Sequence, residues 1–391
     1  MGVTESSVDP NPGQDREHLL PTTPGGRLAS LDVFRGVTVA GMILVNNGSG
    51  ASYSPLHHAE WDGWTPTDLV FPFFLFIVGV SITFALSKRL EGDVSRGSVL
   101  GKIVRRSLII FGLGIALAGF PNYDNWATIR IPGVLQRIAL CYLATSLIFL
   151  YTRARGQAIL AAGLLLGYWA LMTRVTVPGA SRDLGHLARG NDLASYLDRL
   201  LLPRHIYKPD YDPEGLLSTL PAIATTLLGV LVGHWLRSGR ERYEVVAGLF
   251  VAGTATLFLG SAWGLTFSIN KALWTSSFVL LTGGLAMLGL ALCYWLVDLK
   301  GYRRWSIPFR SFGRNPIVAY VLAAVFARLA NRPAIVGPDG GRISIHRYLH
   351  DDILLQHLGP ADASLAYALA LVLACYLVVA LMDAVGLHVR A

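Results

Sequence analysis

Apolar residues in this chain gather into long runs separated by short polar connections. Ten runs approach or reach membrane-spanning length: 30–47, 66–87, 102–119, 133–151, 156–173, 219–237, 244–263, 273–297, 314–330 and 363–387. About 20 apolar residues in a helix match the hydrocarbon thickness of a bilayer. A helix also satisfies its backbone polar groups where no water reaches them. The pattern therefore predicts an all-α polytopic membrane bundle of ten helices. No internal repeat or linker divides the runs, so 27–391 is expected to form a single membrane domain. Residues 1–26, rich in Pro, Gly, Ser and Thr and without an apolar core, are expected to be a disordered tail. Within the polar connection after the fifth run, DLASYLDRLLL (192–202) has apolar residues at helical spacing and predicts a short interfacial helix.

Composition agrees with this picture. The chain is 53% hydrophobic and only 15% charged, against about 25% charged in soluble domains. Its net charge of +8 is spread over the connections, which speaks for orientation in a lipid bilayer and against a nucleic-acid partner. With the amino terminus in the cytoplasm, Lys88, Arg89, Arg96, Lys102, Arg105 and Arg106 fall inside, as do Arg153, Arg155, Arg237, Arg240, Arg242 and the basic residues of 300–314. The short opposite connections are poor in basic residues: none lies between Gly48 and Thr65, Arg130 lies in the next and Lys271 in another. That asymmetry predicts a cytoplasmic amino terminus and places the 48–65 connection on the outer face, periplasmic in a bacterial inner membrane. The long outer connections 174–218 and 331–362 are candidates to cover it. Cys141, Cys293 and Cys375 all sit in apolar runs without metal spacing, as small hydrophobes would.

Polar residues concentrate where the first run gives way to the second. Here stand Asn46, His57, His58, Glu60, Trp61, Asp62, Trp64 and Asp68. Adjacent histidines in a loop diverge and lack the spacing of a metal site, so no metal is expected. An acid–base or nucleophilic histidine oriented by a carboxylate is better supplied than a metal site, with Asp68 a candidate partner for His58, and composition alone fits a structural histidine equally well. Asn46 either ends its helix or orients the imidazole and meets a developing oxyanion. Trp61, Trp64 and Tyr53 fit an interfacial aromatic belt or a platform for a sugar ring. Asp32 and Arg35 share a helix face and fit an ion pair or a contact with an anionic cofactor. Arg137 lies inside an apolar run, where a charge must find a partner or a ligand. Asp212 and Glu214 precede the sixth run, Lys271 and Trp274 border the eighth, and Arg314 and Asn315 begin the ninth. Gly229 and Gly233 form a GxxxG pair suited to close helix packing.

The motifs RLASLDVFRG, VNNGSG, HAEWDGWTPTDLVFPFFLFIVG, RIPGVLQRIA, DPEGLLSTLPAI, NKALW and GRNPIVAY follow one another in this order. In that series the chain resembles the heparan-α-glucosaminide N-acetyltransferase family, its ten-span bacterial members above all. The resemblance implies a transmembrane acyltransferase that moves acetyl from cytoplasmic acetyl-CoA to the amine of a glucosamine-containing sugar at the far face. It makes His58, which directly precedes Ala59, the active-site histidine, with Asn46 or its neighbour Asn47 assisting. Donor contacts are then sought among Arg137, Lys271, Trp274, Arg35, Asn315 and Arg314. Acceptor contacts are sought among Trp61, Asp62, Trp64, Glu214 and Asp212. His58 acts either as general base or as carrier of the acetyl group. Free glucosamine, an oligosaccharide or an envelope glycan are all candidate acceptors, and a homodimer is compatible with the resemblance. An amino-sugar transporter and an O-acyltransferase acting on a polysaccharide are the alternatives. A transporter would release no CoA thiol, and it should carry a paired, broken-helix repeat that this sequence does not display.

Overall fold

The structure, a computed structural model, describes residues 28–48, 52–92, 95–121, 126–179, 181, 185–336 and 341–389. The tail expected at 1–26 lies outside them. In chain order the helices are α1 (Ala29–Asn46), α2 (Val70–Leu90), α3 (Arg96–Gly119), α4 (Val134–Tyr151), α5 (Ala154–Arg174) and α6 (Leu193–Leu201). They continue with α7 (Thr219–Leu236), α8 (Arg242–Trp263), α9 (Ser276–Cys293, extended by a π-turn to Leu299), α10 (Ile307–Arg314), α11 (Pro316–Ala330) and α12 (Pro360–Ala384). A small antiparallel hairpin, β1 (Pro333–Val336) with β2 (Arg342–Ser344), intervenes between α11 and α12.

Among the described residues, eight helices are long and apolar enough to cross a membrane, so this is an integral membrane protein of the all-α class. Two of the ten expected spans take other forms. The span expected at 314–330 is α11, only 15 residues long and set at 90° to α10 just before it. Pro316 has no N–H and disfavours a helical residue before it, and Asn315 breaks the helix at φ −124°, ψ 50°. The span expected at 102–119 is part of α3, a 24-residue helix whose first turns carry Arg96, Lys102, Arg105 and Arg106. Those cations leave only its second part apolar. The short helix expected at 192–202 forms as α6, capped by Asp192, whose carboxylate accepts from Ser195 N at 2.8 Å.

Local chemistry explains where the site-bearing helices begin. A 3₁₀ turn, Pro66–Leu69, leads into α2, with Pro66 in its first turn and a reciprocal capping box between Thr65 and Asp68. Lys88 and Arg89 close α2, where cations suit the helix dipole. Packing between helices then depends on missing side chains. A Cβ on Gly79 would run into the Thr226 carbonyl, and one on Gly229 into the Phe76 carbonyl. The GxxxG pair therefore brings α7 against α2. On α1 and α10, Gly36 meets the Phe309 backbone and Gly313 the Asp32 backbone in the same way. Inside lipid, close van der Waals contact replaces the hydrophobic drive for association. Gly229→Leu is expected to cost about 3 kcal/mol through forced separation of the helices, read as a lower midpoint of thermal unfolding in detergent. An unchanged midpoint would contradict this packing.

Candidate active site

The connection from α1 to α2 folds into a polar hairpin around one carboxylate. Asp68 is only 1% exposed, and both of its oxygens are occupied. Oδ1 lies 2.6 Å from His58 Nδ1 and 3.2 Å from Lys271 Nζ. Oδ2 accepts from the backbone N–H of Ala59 at 3.1 Å and of Thr65 at 3.0 Å. The Thr65 hydroxyl closes the hairpin by donating to the His57 carbonyl at 2.6 Å. Because an ionised carboxylate only accepts, the ring proton of His58 sits on Nδ1 and the lone pair on Nε2. The imidazole itself is half-exposed. A proton acceptor is thus held on a rigid backing and left accessible.

Lys271 reaches the hairpin from the connection between α8 and α9. That connection is docked by Gly63 N donating to the Ile269 carbonyl at 2.8 Å and by Asn270 Nδ2 donating to Asp62 Oδ1 at 3.3 Å. Lys271 Nζ stands 2.9 Å from His58 Nδ1 and 3.5 Å from Nε2. Burial pushes its ammonium below the ordinary lysine value, against the pull of Asp68 and Glu214.

His58, Lys271, Asn46 and Glu214 line one end of a cavity of about 810 Å³. It follows α1 from Asn46 to Leu28, so its wall runs the length of a helix that is about 27 Å long at 1.5 Å per residue. At the Leu28 end the lining is basic: Arg35, Lys88, Arg89, Lys102, Arg105, Arg106 and Arg314. Between the ends the wall is mostly apolar, with Val70, Phe74, Ile77, Val78 and Ile138. A long ligand with an anionic head and a reactive tip matches this distribution of charge.

The other candidate residues divide between lining and support. Arg35 lines the cavity while donating to Asp32 Oδ1 at 2.9 Å, to the Gly313 carbonyl at 3.0 Å and to Ser81 Oγ at 2.8 Å. Arg314 pairs with Asp383 at 2.8 Å. Asn315 is fully buried, and its Oδ1 accepts from Val389 N at 3.1 Å. Asn47 turns away to its own helix, donating to the Ile43 carbonyl at 2.7 Å. Arg137 and Trp274 are each 1% exposed and are not among the residues lining the cavity. Arg137 donates to the Gly215 carbonyl and to Ser218 Oγ, and its guanidinium lies 5.1 Å from the Trp274 ring. Trp274 holds a positive φ of 52°, a strained backbone, and donates from Nε1 to Thr225 Oγ1 at 3.1 Å. Together they fix the turn that presents Lys271. Trp61 donates to the Leu187 carbonyl at 2.9 Å and meets Tyr211 edge-on, whereas Trp64 is exposed.

In the sequence Lys102, Arg105 and Arg106 stand only among the basic residues near the inner helix ends; their repeated i, i+3 and i, i+4 spacing puts them on one face of α3. Arg130 pairs with Asp212 at 2.6 Å and also with Glu214, joining the α3–α4 connection to the segment before α7. No spacing rule links residues so far apart. Among the described residues, no cluster of three or more His, Cys, Asp or Glu is arranged to hold a metal.

Behind Glu214 sits Asp198 of α6, 1% exposed. One of its oxygens accepts from Leu216 N at 2.8 Å and the other has no partner among the described residues. Burial pushes its carboxyl up to about 6 from 3.8. The folded protein therefore holds a proton that the unfolded chain has lost, and stability falls as pH rises between these two values. The loss amounts to about 3 kcal/mol, complete above the folded value. Asp198→Asn is expected to unfold at a higher temperature than wild type at pH 7.5, with the gap closing towards pH 4. A gap independent of pH would contradict the burial of this charge.

A family model described as "Heparan-alpha-glucosaminide N-acetyltransferase, catalytic" matches residues 27–267. The heparan-alpha-glucosaminide N-acetyltransferase of Homo sapiens is 33% identical over 356 residues, covering 77% of this chain and 53% of the human protein. The protein of the same name from Mus musculus is 32% identical over 352 residues, covering 75% of this chain and 53% of its own length. The chain spans about half the length of these relatives.

Proposed function

Because the chain belongs to the heparan-α-glucosaminide N-acetyltransferase family, we propose that it transfers acetyl from acetyl-CoA in the long cavity to the amine of a glucosamine-type sugar at His58. The observation that carries this reading is the continuity of one cavity from a basic end to the Asp68-backed imidazole. The basic end supplies Lys102, Arg105 and Arg106 for the donor's phosphates, and the apolar middle suits the pantetheine arm. With the amino terminus inside, as the basic connections favour, the donor enters from the cytoplasm of a bacterium and the sugar waits at the periplasmic face.

The chemistry follows from the hydrogen bonds. His58 Nε2 takes a proton from the neutral sugar amine as its lone pair forms the N–C bond to the acetyl carbon. As the C–S bond breaks, the imidazolium returns a proton to the leaving thiolate, giving an amide and free CoA thiol. Asp68 holds the tautomer that keeps Nε2 free and steadies the imidazolium. The Lys271 ammonium and the Asn46 amide, lining the same end of the cavity, face the oxygen that gains charge in the tetrahedral intermediate. Arg137 and Trp274 act through Lys271 and need not touch either substrate.

Purified protein is expected to release thiol from acetyl-CoA when glucosamine is present and far more slowly without it. Release that ignores amines but follows a sugar hydroxyl makes the protein an O-acyltransferase. No release with any acceptor removes the transferase reading and leaves transport. Lys271→Met is expected to lower kcat by about 10²-fold as an oxyanion donor is lost, with acetyl-CoA affinity kept within a few-fold. A loss confined to donor affinity would move Lys271 to the donor's binding contacts.

A further inference from the structure

The mechanism uses Lys271 as a cation, yet its side chain is a primary amine, the functional group that the proposed reaction acetylates. Of the five lysines in the chain, Lys271 alone lines the His58 end of the long cavity, whereas Lys88 and Lys102 line its basic end. The side chain is mostly covered, with 21% exposed. Its turn is closed by Trp274 N donating to the Lys271 carbonyl at 3.0 Å and by Leu273 N donating to Asn270 Oδ1 at 2.9 Å. The nitrogen is thereby kept 3.2 Å from Asp68 Oδ1 and 3.5 Å from His58 Nε2. An amine, a proton acceptor and the end of a cavity that fits a thioester meet at one point. Burial, which pushes the Lys271 ammonium below the ordinary lysine value, enlarges the neutral fraction able to attack.

We propose that Lys271 is a self-acetylation site: when no sugar amine is present, its Nζ takes the acetyl group from acetyl-CoA and the enzyme switches itself off. This rests on the acetyltransferase reading above. Neutral Nζ attacks the thioester carbon, an N–C bond forms, and the C–S bond breaks with its electron pair going to sulfur. His58 Nε2 takes the proton that the nitrogen sheds and returns it to the thiolate, leaving Nε-acetyl-lysine and free CoA thiol. A tethered amine needs no encounter, so proximity favours this lysine over every other. The Asp68 carboxylate keeps most of the population charged, so the branch is slow beside transfer to a sugar. Its product is a stable amide that passes the acetyl group no further, a dead end and not an intermediate. Acetylation also costs the site its cation, so the oxygen that gains charge in transfer loses a donor. Abundant acceptor protects the lysine by consuming the acetyl group first. Turnover thus lasts while acceptor lasts and decays when the donor stands alone.

The test incubates the full purified chain with acetyl-CoA carrying a ¹³C-labelled acetyl group, without sugar, and locates the label by peptide mass spectrometry. Label is expected on Lys271 about tenfold faster, or more, than on the exposed Lys300, and glucosamine is expected to suppress it. His58→Ala is expected to slow the labelling of Lys271 by about tenfold or more. Thiol release measured afterwards with fresh acetyl-CoA and glucosamine is expected to fall in proportion to the labelled fraction. Lys271→Arg keeps a cation but offers no amine to acetylate, so its own turnover, whatever its level, is expected to survive the same incubation unchanged. Labelling of Lys271 no faster than Lys300, or equally fast in His58→Ala, is random chemistry and overturns the proposal. Wild-type turnover that stays constant as Lys271 fills overturns it too. Glucosamine-dependent thiol release with Lys271 unlabelled removes this inference alone. Lys271 labelled through His58 in a protein that acetylates no sugar amine keeps the site and removes the glucosamine acceptor.

Discussion

In His58→Ala, glucosamine-dependent thiol release is expected to fall by about 10²–10⁴-fold, the usual worth of a positioned acid–base group, while acetyl-CoA affinity and thermal stability stay near wild type. The side chain is half-exposed and lies at the end of the cavity, so its removal leaves the helix packing intact. Its loss does orphan part of the Asp68 hydrogen bonding, but Lys271, Ala59 and Thr65 still engage both carboxylate oxygens. The effect should therefore appear in kcat. The neighbouring His57 makes no Asp68 contact, and His57→Ala is expected to spare the chemical step. A His58→Ala enzyme within tenfold of wild-type turnover removes the imidazole from the mechanism.

Asp68→Asn is expected to produce a comparable loss in turnover and, unlike His58→Ala, a loss of stability. An amide in place of the carboxylate presents at least one N–H where only acceptors fit. If its oxygen faces the Ala59 and Thr65 N–H groups, its nitrogen faces His58 Nδ1 and drives the ring proton to Nε2, the tautomer that cannot accept from the amine. If it flips, two backbone donors meet a donor instead, at about 1–3 kcal/mol for each buried group left unsatisfied. Turnover is expected to drop about 10²–10⁴-fold in the first arrangement, and the unfolding midpoint to drop in the second. Full activity with full stability in this variant contradicts the tautomer assignment.

Much of the membrane architecture was legible in apolar runs, because burial in lipid demands long uninterrupted helices. Hydropathy carries no direction, however, so 314–330 reads as an independent span although it is a 15-residue helix turned by 90° from α10 at the Asn315–Pro316 step. Charge at the start of α3 likewise reads first as an orientation signal, and only the packed helices show that Lys102, Arg105 and Arg106 line the cavity. At the site, the His58–Asp68 contact spans only ten residues and has a local cause in the Thr65–Asp68 capping box. Lys271 is 213 residues from His58, and no periodicity connects them. Arg137 illustrates the limit of reasoning from an intramembrane charge: the rule says that such a group needs a partner, but the partners are a carbonyl, a hydroxyl and an indole face. The long cavity comes from α1, α2, α3 and α4 together, and packing of that kind leaves no trace in a linear pattern.

The claim that joins fold to chemistry is that the donor reaches His58 through the membrane domain from the opposite face. Proteoliposomes with glucosamine sealed inside and labelled acetyl-CoA supplied only outside test it directly. The account predicts labelled N-acetylglucosamine in the lumen, absent with His58→Ala. Product that forms only when both substrates share one compartment would contradict it.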